Sequence, residues 1–314
     1  MLNETIFWII FALVATLIII IDLYVTDHRP GKLGLKRSLI WSGVWISTAL
    51  LFNAFLYFYL KDGHVKALEF LTGYLIEYSL SVDNLFVFLL IFGVMNISEK
   101  NQPHVLKWGI LSAVVFRIIF ILAGVGLINI FHPVIYLFGL ILLFASYKMA
   151  FGGEQKIDYE KNPFIKLIRK YFNVLPHYEG RKFFVKKEGK IFVTSLLLTL
   201  LLIESSDIVF AVDSIPAVIA ITRDPFVIIT SNIFAVLGLR SLYFALAGIV
   251  DMFRYLKYGV AFILFFVGVK MLISEFYHIP THLSLAVIIL SLVLSVILSV
   301  LHKKETSSPS RKNE

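Results

Sequence analysis

Nine apolar runs, separated by short polar stretches, fill most of the 314-residue chain. Their limits are about 5–25, 38–60, 67–95, 105–129, 133–151, 191–221, 225–249, 256–275 and 281–302. Crossing a bilayer as a helix takes about 20 apolar residues. The pattern therefore predicts an all-α, polytopic membrane protein whose transmembrane domain covers 1–302. The polar stretch 152–190 reads as a cytoplasmic loop, and 303–314 as a disordered cytoplasmic tail. Within the loop, Pro163 to Phe172 places Lys166, Arg169 and Lys170 at helical spacing, which predicts a short interfacial helix. Phe183 to Phe192 predicts a hairpin turning at Glu188-Gly189. The first run is read as a span: no basic segment precedes it, and it is too long and uniform for a signal peptide.

The polar residues inside the runs carry the chemistry. The sixth run contains E-S-S-D-I-V-F-A-V-D-S-I-P, Glu204 to Pro216, and so puts Glu204, Asp207 and Asp213 where hydrocarbon is expected. One charge at the centre of a spanning helix costs at least roughly 2.5–3.5 kcal/mol, so three carboxylates there require a cation, a proton or a basic partner. Glu204 and Asp207, three apart, share a helix face. Pro216 cannot donate to the carbonyl of Val212, which predicts a bend or break. The third run contains E-Y-S-L-S-V-D-N, adding Glu77, Asp83 and Asn84. Arg117 and Arg240 lie near helix centres, and Lys148 and Lys270 near helix ends, where they either compensate the acids or snorkel. Asp22 reads as an interfacial carboxylate. Trp41, Trp45, Tyr57 and Tyr59 read as an aromatic belt, and Asn53 as an interhelical hydrogen-bonding group.

The third to fifth runs match the sixth to eighth. V-D-N at 82–84 falls on V-D-S at 212–214, and six positions earlier Glu77 falls on Asp207. F-I-L-A-G at 120–124 resembles F-A-L-A-G at 244–248, and Y-K-M at 147–149 resembles V-K-M at 269–271. Segments 67–151 and 191–275 are thus two repeats. An odd number of crossings inverts the second, an arrangement that places substrate at the membrane midplane in secondary transporters. Inversion sets Glu77 and Asp213 toward the outer side and Asp83 and Asp207 toward the inner side, roughly 9 Å apart in depth.

Charge orients the chain. Of the 29 Lys and Arg residues, 22 flank alternate ends of the runs, 3 flank the opposite ends and 4 lie within helices. The positive-inside rule puts the N-terminus outside and the C-terminus in the cytoplasm, and bases that flank spans do not form a nucleic-acid face. The absence of cysteine removes thiolate metal sites and disulfides. An oxygen-rich set (Glu77, Asp83, Asn84, Glu204, Asp207 and Asp213, helped by Ser205, Ser206 and Ser214) suits hard divalent cations: Mg²⁺, Ca²⁺ and Mn²⁺. Two other readings stand beside this one: static ion pairs of the acids with Arg and Lys, and a proton relay.

F-L-T-G-Y-L-I-E-Y-S-L-S-V-D-N (70–84), E-S-S-D-I-V-F-A-V-D-S-I-P-A (204–217), T-S-N-I-F-A-V-L-G-L-R-S-L-Y-F (230–244) and V-K-M-L-I (269–273) resemble the TerC family, named for tellurite resistance, and its alkali-inducible branch in particular. The resemblance covers about 2–302. It implies nine helices in an inner-membrane protein of the lysine-exporter-like superfamily, Mn²⁺ efflux, and metal-site roles for Glu77, Asp83, Glu204, Asp207 and Asp213, with Asn84 beside them. The expected function is divalent-metal export, Mn²⁺ first, coupled to inward proton flow, with the metal as cargo and no permanently bound cofactor. Its partners are then the metal ion and the lipid bilayer, and no nucleic acid. The alternative is a scaffold or metallation factor with structural carboxylates. An intramembrane aspartyl protease lacks its G-x-G-D, and H-E-x-x-H is absent, so no enzyme is expected.

Overall fold

The computed structural model describes residues 4–25, 35–131, 133–151, 163–175, 177–187, 189–247, 255–274, 276–277 and 279–306. The side chains of some helical residues, Asp83 and Asp213 among them, fall outside that description. Eleven helices are present there: α1 (Glu4–Val25), α2 (Leu35–Tyr59), α3 (Gly63–Val94), α4 (Gln102–Ile130), α5 (Val134–Phe151), α6 (Pro163–Tyr171), α7 (Ser195–Ile219), α8 (Pro225–Leu237), α9 (Leu239–Ala247), α10 (Leu256–Leu272) and α11 (Thr281–Thr306). Six described segments are long and apolar enough to cross a membrane: α1, α2, α3, α4, the α8–α9 pair and α11. A small sheet of β1 (Asn173–Val174), β2 (Phe184–Lys187) and β3 (Lys190–Val193) interrupts the all-α pattern between α6 and α7.

The expected hairpin is β2–β3, with Lys187 opposite Lys190. The parallel strand β1 was not legible as a strand. The short helix α6 also forms, but Ile165 is fully buried and α6 packs on α7, so its apolar side faces protein. Tail residues up to Thr306 are helical, as the end of α11; 307–314 lie outside the described residues.

Sequence chemistry sets the helix ends. Asp224 caps α8 by accepting from the Phe226 N–H at 2.9 Å, and Pro225 opens the helix where no donor is needed. The tight α2–α3 corner requires Gly63, because a Cβ there would lie 2.4 Å from the Tyr57 carbonyl. Contrary to expectation, Pro216 does not break α7, which runs on to Ile219. Pro216 falls in the last turn, where one missing N–H bond costs little continuity. The interruption comes instead at Gly238, between α8 and α9.

The α8–α9 segment is the centre of the fold and is almost wholly buried. Helices α1, α2, α3 and α4 surround it. Rings of Phe7, Phe11, Phe52, Phe70, Phe226 and Phe234 interlock α1 and α2 with α3 and α8. Trp45 is buried here against Gly238 rather than standing in an aromatic belt; Tyr57 and Tyr59 are exposed. The Asn53 Oδ1 has no hydrogen-bond partner among the described residues, so the interhelical bond expected of it is not made there.

The helix pairing α3 on α7, α3 on α8, α4 on α7, α4 on α8 and α5 on α10 is unchanged when α3, α4 and α5 are exchanged for α7, α8–α9 and α10. The α5–α10 contact is glycine-mediated: a Cβ on Gly268 would lie 3.0 Å from the Gly139 carbonyl, and one on Gly139 would lie 3.1 Å from the Gly268 carbonyl. Small residues allow this approach in membrane helices. Gly268→Val should separate the pair and cost about 1–3 kcal/mol, read as a lower thermal midpoint of the detergent-purified protein. An unchanged midpoint would mean that α5 and α10 do not depend on this contact.

Candidate functional site

Glu77 sits on α3 at 0% exposure, enclosed by the α3–α7–α8 packing. Arg117, from α4 and 3% exposed, forms an ion pair with Glu77 through Nη1 and Oε1. Ser81, one turn on, donates to the same oxygen at 3.3 Å. Arg117 Nη1 also donates to Asn232 Oδ1 at 3.3 Å, and Asn232 is held in turn by donating to the Ile228 carbonyl at 3.0 Å. The second Glu77 oxygen, Oε2, has no hydrogen-bond partner among the described residues. A buried pair offsets its desolvation only when its remaining valences are met, so Glu77 is incompletely satisfied.

Asp207, on α7 and 9% exposed, lies close enough to Arg117 and Glu77 to feel both charges. Glu204, one turn earlier and 8% exposed, accepts from Ser112 Oγ of α4 at Oε1 and has no partner for Oε2 among the described residues. Glu204 also lines a cavity of about 490 Å³ between α4 and α7, with Trp108, Phe116 and Leu200 among its walls. Neither Glu204 nor Asp207 forms an ion pair with Lys or Arg among the described residues.

Asn84 is buried on the same helix as Glu77. Asp83 and Asp213 are placed by the backbone on α3 and α7, six residues beyond Glu77 and Asp207; their side chains lie outside the described residues. Ser205 and Ser206 donate to the Leu202 carbonyl, while Ser214 Oγ is buried with no partner among the described residues. Among the described residues no group of three His, Asp or Glu side chains is close enough to hold a metal ion.

The expected compensating bases go four ways. Of these, among the described residues, Arg117 alone forms an ion pair with an expected site acid, Glu77. Arg240 pairs instead with Asp22 of α1, Nε to Oδ2 at 3.1 Å, and also donates to the Asp22 carbonyl. Asp22 is therefore a buried structural partner, 4% exposed, rather than an interfacial carboxylate. Lys270 is buried and donates to Ser284 of α11 at 3.0 Å. Lys148 is exposed on α5, as a snorkelling residue would be.

Sequence reasoning missed a polar cluster at the end of the fold opposite the sheet. There Thr222 donates to Glu69 at 2.8 Å, Lys66 pairs with Asp224 at 2.7 Å, and Lys270 is near enough to Glu69 to interact with it. It also missed Asn232 and Ser112. Asn232 left a signal, an amide in the middle of an apolar run; Ser112 left none, since serine is common in spanning helices.

Comparison with known proteins agrees with this architecture. The model of the integral membrane protein TerC family matches residues 62–307. A protein of Escherichia coli (strain K12) named "Putative membrane-bound redox modulator Alx" is 44% identical over 299 residues, covering 93% of each chain. Its namesake in Salmonella typhi is 43% identical over 307 residues, 95% of each. An uncharacterized membrane protein of Myxococcus xanthus is 44% identical over 284 residues, 90% of this chain and 88% of that one. No solved structure matches. With a match across the core that carries Glu77, Arg117, Glu204 and Asp207, this chain belongs to the TerC family of integral membrane proteins.

Proposed function

We propose that the protein exports a hard divalent cation, Mn²⁺ foremost, across the cytoplasmic membrane in exchange for protons. Nine crossings carry it: the six long apolar segments together with α5, α7 and α10. The excess of basic residues at the sheet end sets the N-terminus outside and the C-terminus in the cytoplasm. The helix pairing that survives exchange of the two triplets supports an inverted repeat.

One observation carries the reading. Three carboxylates at 9% exposure or less lie on α3 and α7, and among the described residues only Glu77 has a basic partner. Unpaired charge is too costly to keep in hydrocarbon without a purpose. In this proposal Glu77, Asp83, Asn84, Glu204, Asp207 and Asp213 receive the ion, and their oxygens suit Mn²⁺, Ca²⁺ or Mg²⁺. Arg117 holds Glu77 when the ion is away and yields it when the ion arrives. The name of the Escherichia coli and Salmonella typhi relatives assigns redox modulation to those proteins; with no cysteine, this chain has no thiol–disulfide chemistry of its own.

A second reading, a membrane scaffold with structural carboxylates, draws on the Glu77–Arg117 and Asp22–Arg240 ion pairs. Flux separates the two. Proteoliposomes holding the purified protein should move Mn²⁺ in a panel with Ca²⁺ and Mg²⁺, and cells lacking the gene should accumulate Mn²⁺. No flux of any of the three ions, with equal cellular Mn²⁺, would overturn export and favour the scaffold.

A further inference from the structure

The segment between α5 and α7 is fastened to the membrane-spanning helices on one side and presents an apolar, basic face on the other. On the fastened side, the Phe183 ring stacks on His104 at 5.0 Å and meets Trp108 edge-on at 6.5 Å. The Ser98 N–H donates to the Tyr178 hydroxyl at 3.3 Å, and Thr194 donates to the Lys182 carbonyl at 2.8 Å. Val185 and Ile165 are buried beneath. The sheet is thus held at the N-terminal ends of α4 and α7.

The other side departs from what a water-facing sheet needs. Phe184 is 53% exposed and Ile191 55%. Strand alternation and the Lys186–Ile191 pairing put Phe184, Lys186 and Ile191 on one face. The Asn173–Phe192 pairing brings Phe172, 42% exposed and just before β1, to the Ile191 end of that face. Around it the charge has one sign: residues 163–193 hold eight Lys or Arg against two Glu. One of those acids, Glu179, is taken by Lys187 at 2.6 Å, whose ammonium holds the carboxyl below its usual range.

We propose that this face is a docking surface for the anionic headgroups of the adjacent leaflet, with Phe172, Phe184 and Ile191 in the interfacial layer and Lys186 on the phosphates. Aromatic and aliphatic side chains beside bases at the end of a spanning helix match that layer's apolar depth and negative surface. A second copy of the chain fits less well, since it would oppose like charges. The surface needs only the sheet end at a bilayer boundary, so it stands or falls separately from metal transport.

The absence of native cysteine makes the test direct. An environment-sensitive fluorophore on Ile191→Cys is followed in nanodiscs of phosphatidylcholine with or without phosphatidylglycerol, one protein per disc. Phe184→Cys serves as a second site and Phe144→Cys, on the exposed face of α5, as a lipid-facing reference. Quenching by headgroup-depth nitroxide lipid should be at least about two-fold stronger in the anionic discs. It should fall with added salt and with Lys186→Glu, while the reference site changes in neither case. Labels at 184 and 191 equally open to acrylamide in both disc types, or strong lipid quenching indifferent to lipid charge and salt, would overturn the proposal.

Discussion

Replacing Arg117 with alanine should destabilise the protein by about 3–5 kcal/mol, the cost of leaving one member of a buried ion pair alone. Among the described residues Glu77 would keep only the Ser81 hydroxyl, in a site with 0% exposure. Asn232 would lose the donor that Arg117 supplies to its Oδ1. The expected readout is a large drop in thermal midpoint and in monodisperse yield after detergent extraction. Arg117→Met combined with Glu77→Gln should recover most of that loss, because it removes both charges and keeps similar volume. The double variant should still fail to transport, since Glu77 is also an ion-site residue in our proposal. If Arg117→Ala were as stable as the parent, the pair would not hold α3 to α4, and Arg117 would have to act elsewhere.

The sequence made the helices legible and their partners much less so. An apolar run reports a local transfer free energy, which is why the limits of α1, α5, α10 and α11 fall within a few residues of the runs that predict them. Partner choice depends on contacts far apart in the chain. The sequence match expects Arg117 and Arg240 at corresponding positions, yet one meets Glu77 and the other Asp22, because α1 packs against the central segment. Sequence matching alone therefore could not assign both bases. The helix-breaking reading of Pro216 failed for a different reason: proline harms a helix interior, but near the C-terminus few bonds remain to be lost. The amphipathic pattern of α6 predicts a short interfacial helix; the helix forms, with Ile165 buried and α6 packed on α7. Periodicity fixes that a face is apolar and not what covers it, and here α7 covers it. At the candidate site, carboxylates within apolar runs were conspicuous by cost alone, whereas Ser112 and Asn232, which hold Glu204 and Arg117, carry no comparable penalty in a spanning helix.

Glu204→Gln and Asp207→Asn should separate function from folding in the opposite sense to Arg117→Ala. Each removes a formal charge from a site where no basic side chain among the described residues pairs with it. In Glu204→Gln the new amide oxygen would still accept from Ser112, and the cavity between α4 and α7 keeps its volume. Burying a neutral amide costs less than burying a carboxylate, so the thermal midpoint should hold or rise. Transport should fall by more than about ten-fold in each variant, because a hard cation loses a charged oxygen ligand that an amide replaces poorly. Initial rates of Mn²⁺ uptake into proteoliposomes, measured on the same preparations as the midpoints, check both halves. Lys148→Gln, at an exposed position on α5, should alter neither. Normal flux through Asp207→Asn would remove Asp207 from the ion path. A falling midpoint in both carboxylate variants, with flux unchanged, would show that these acids hold the fold together and carry no ion.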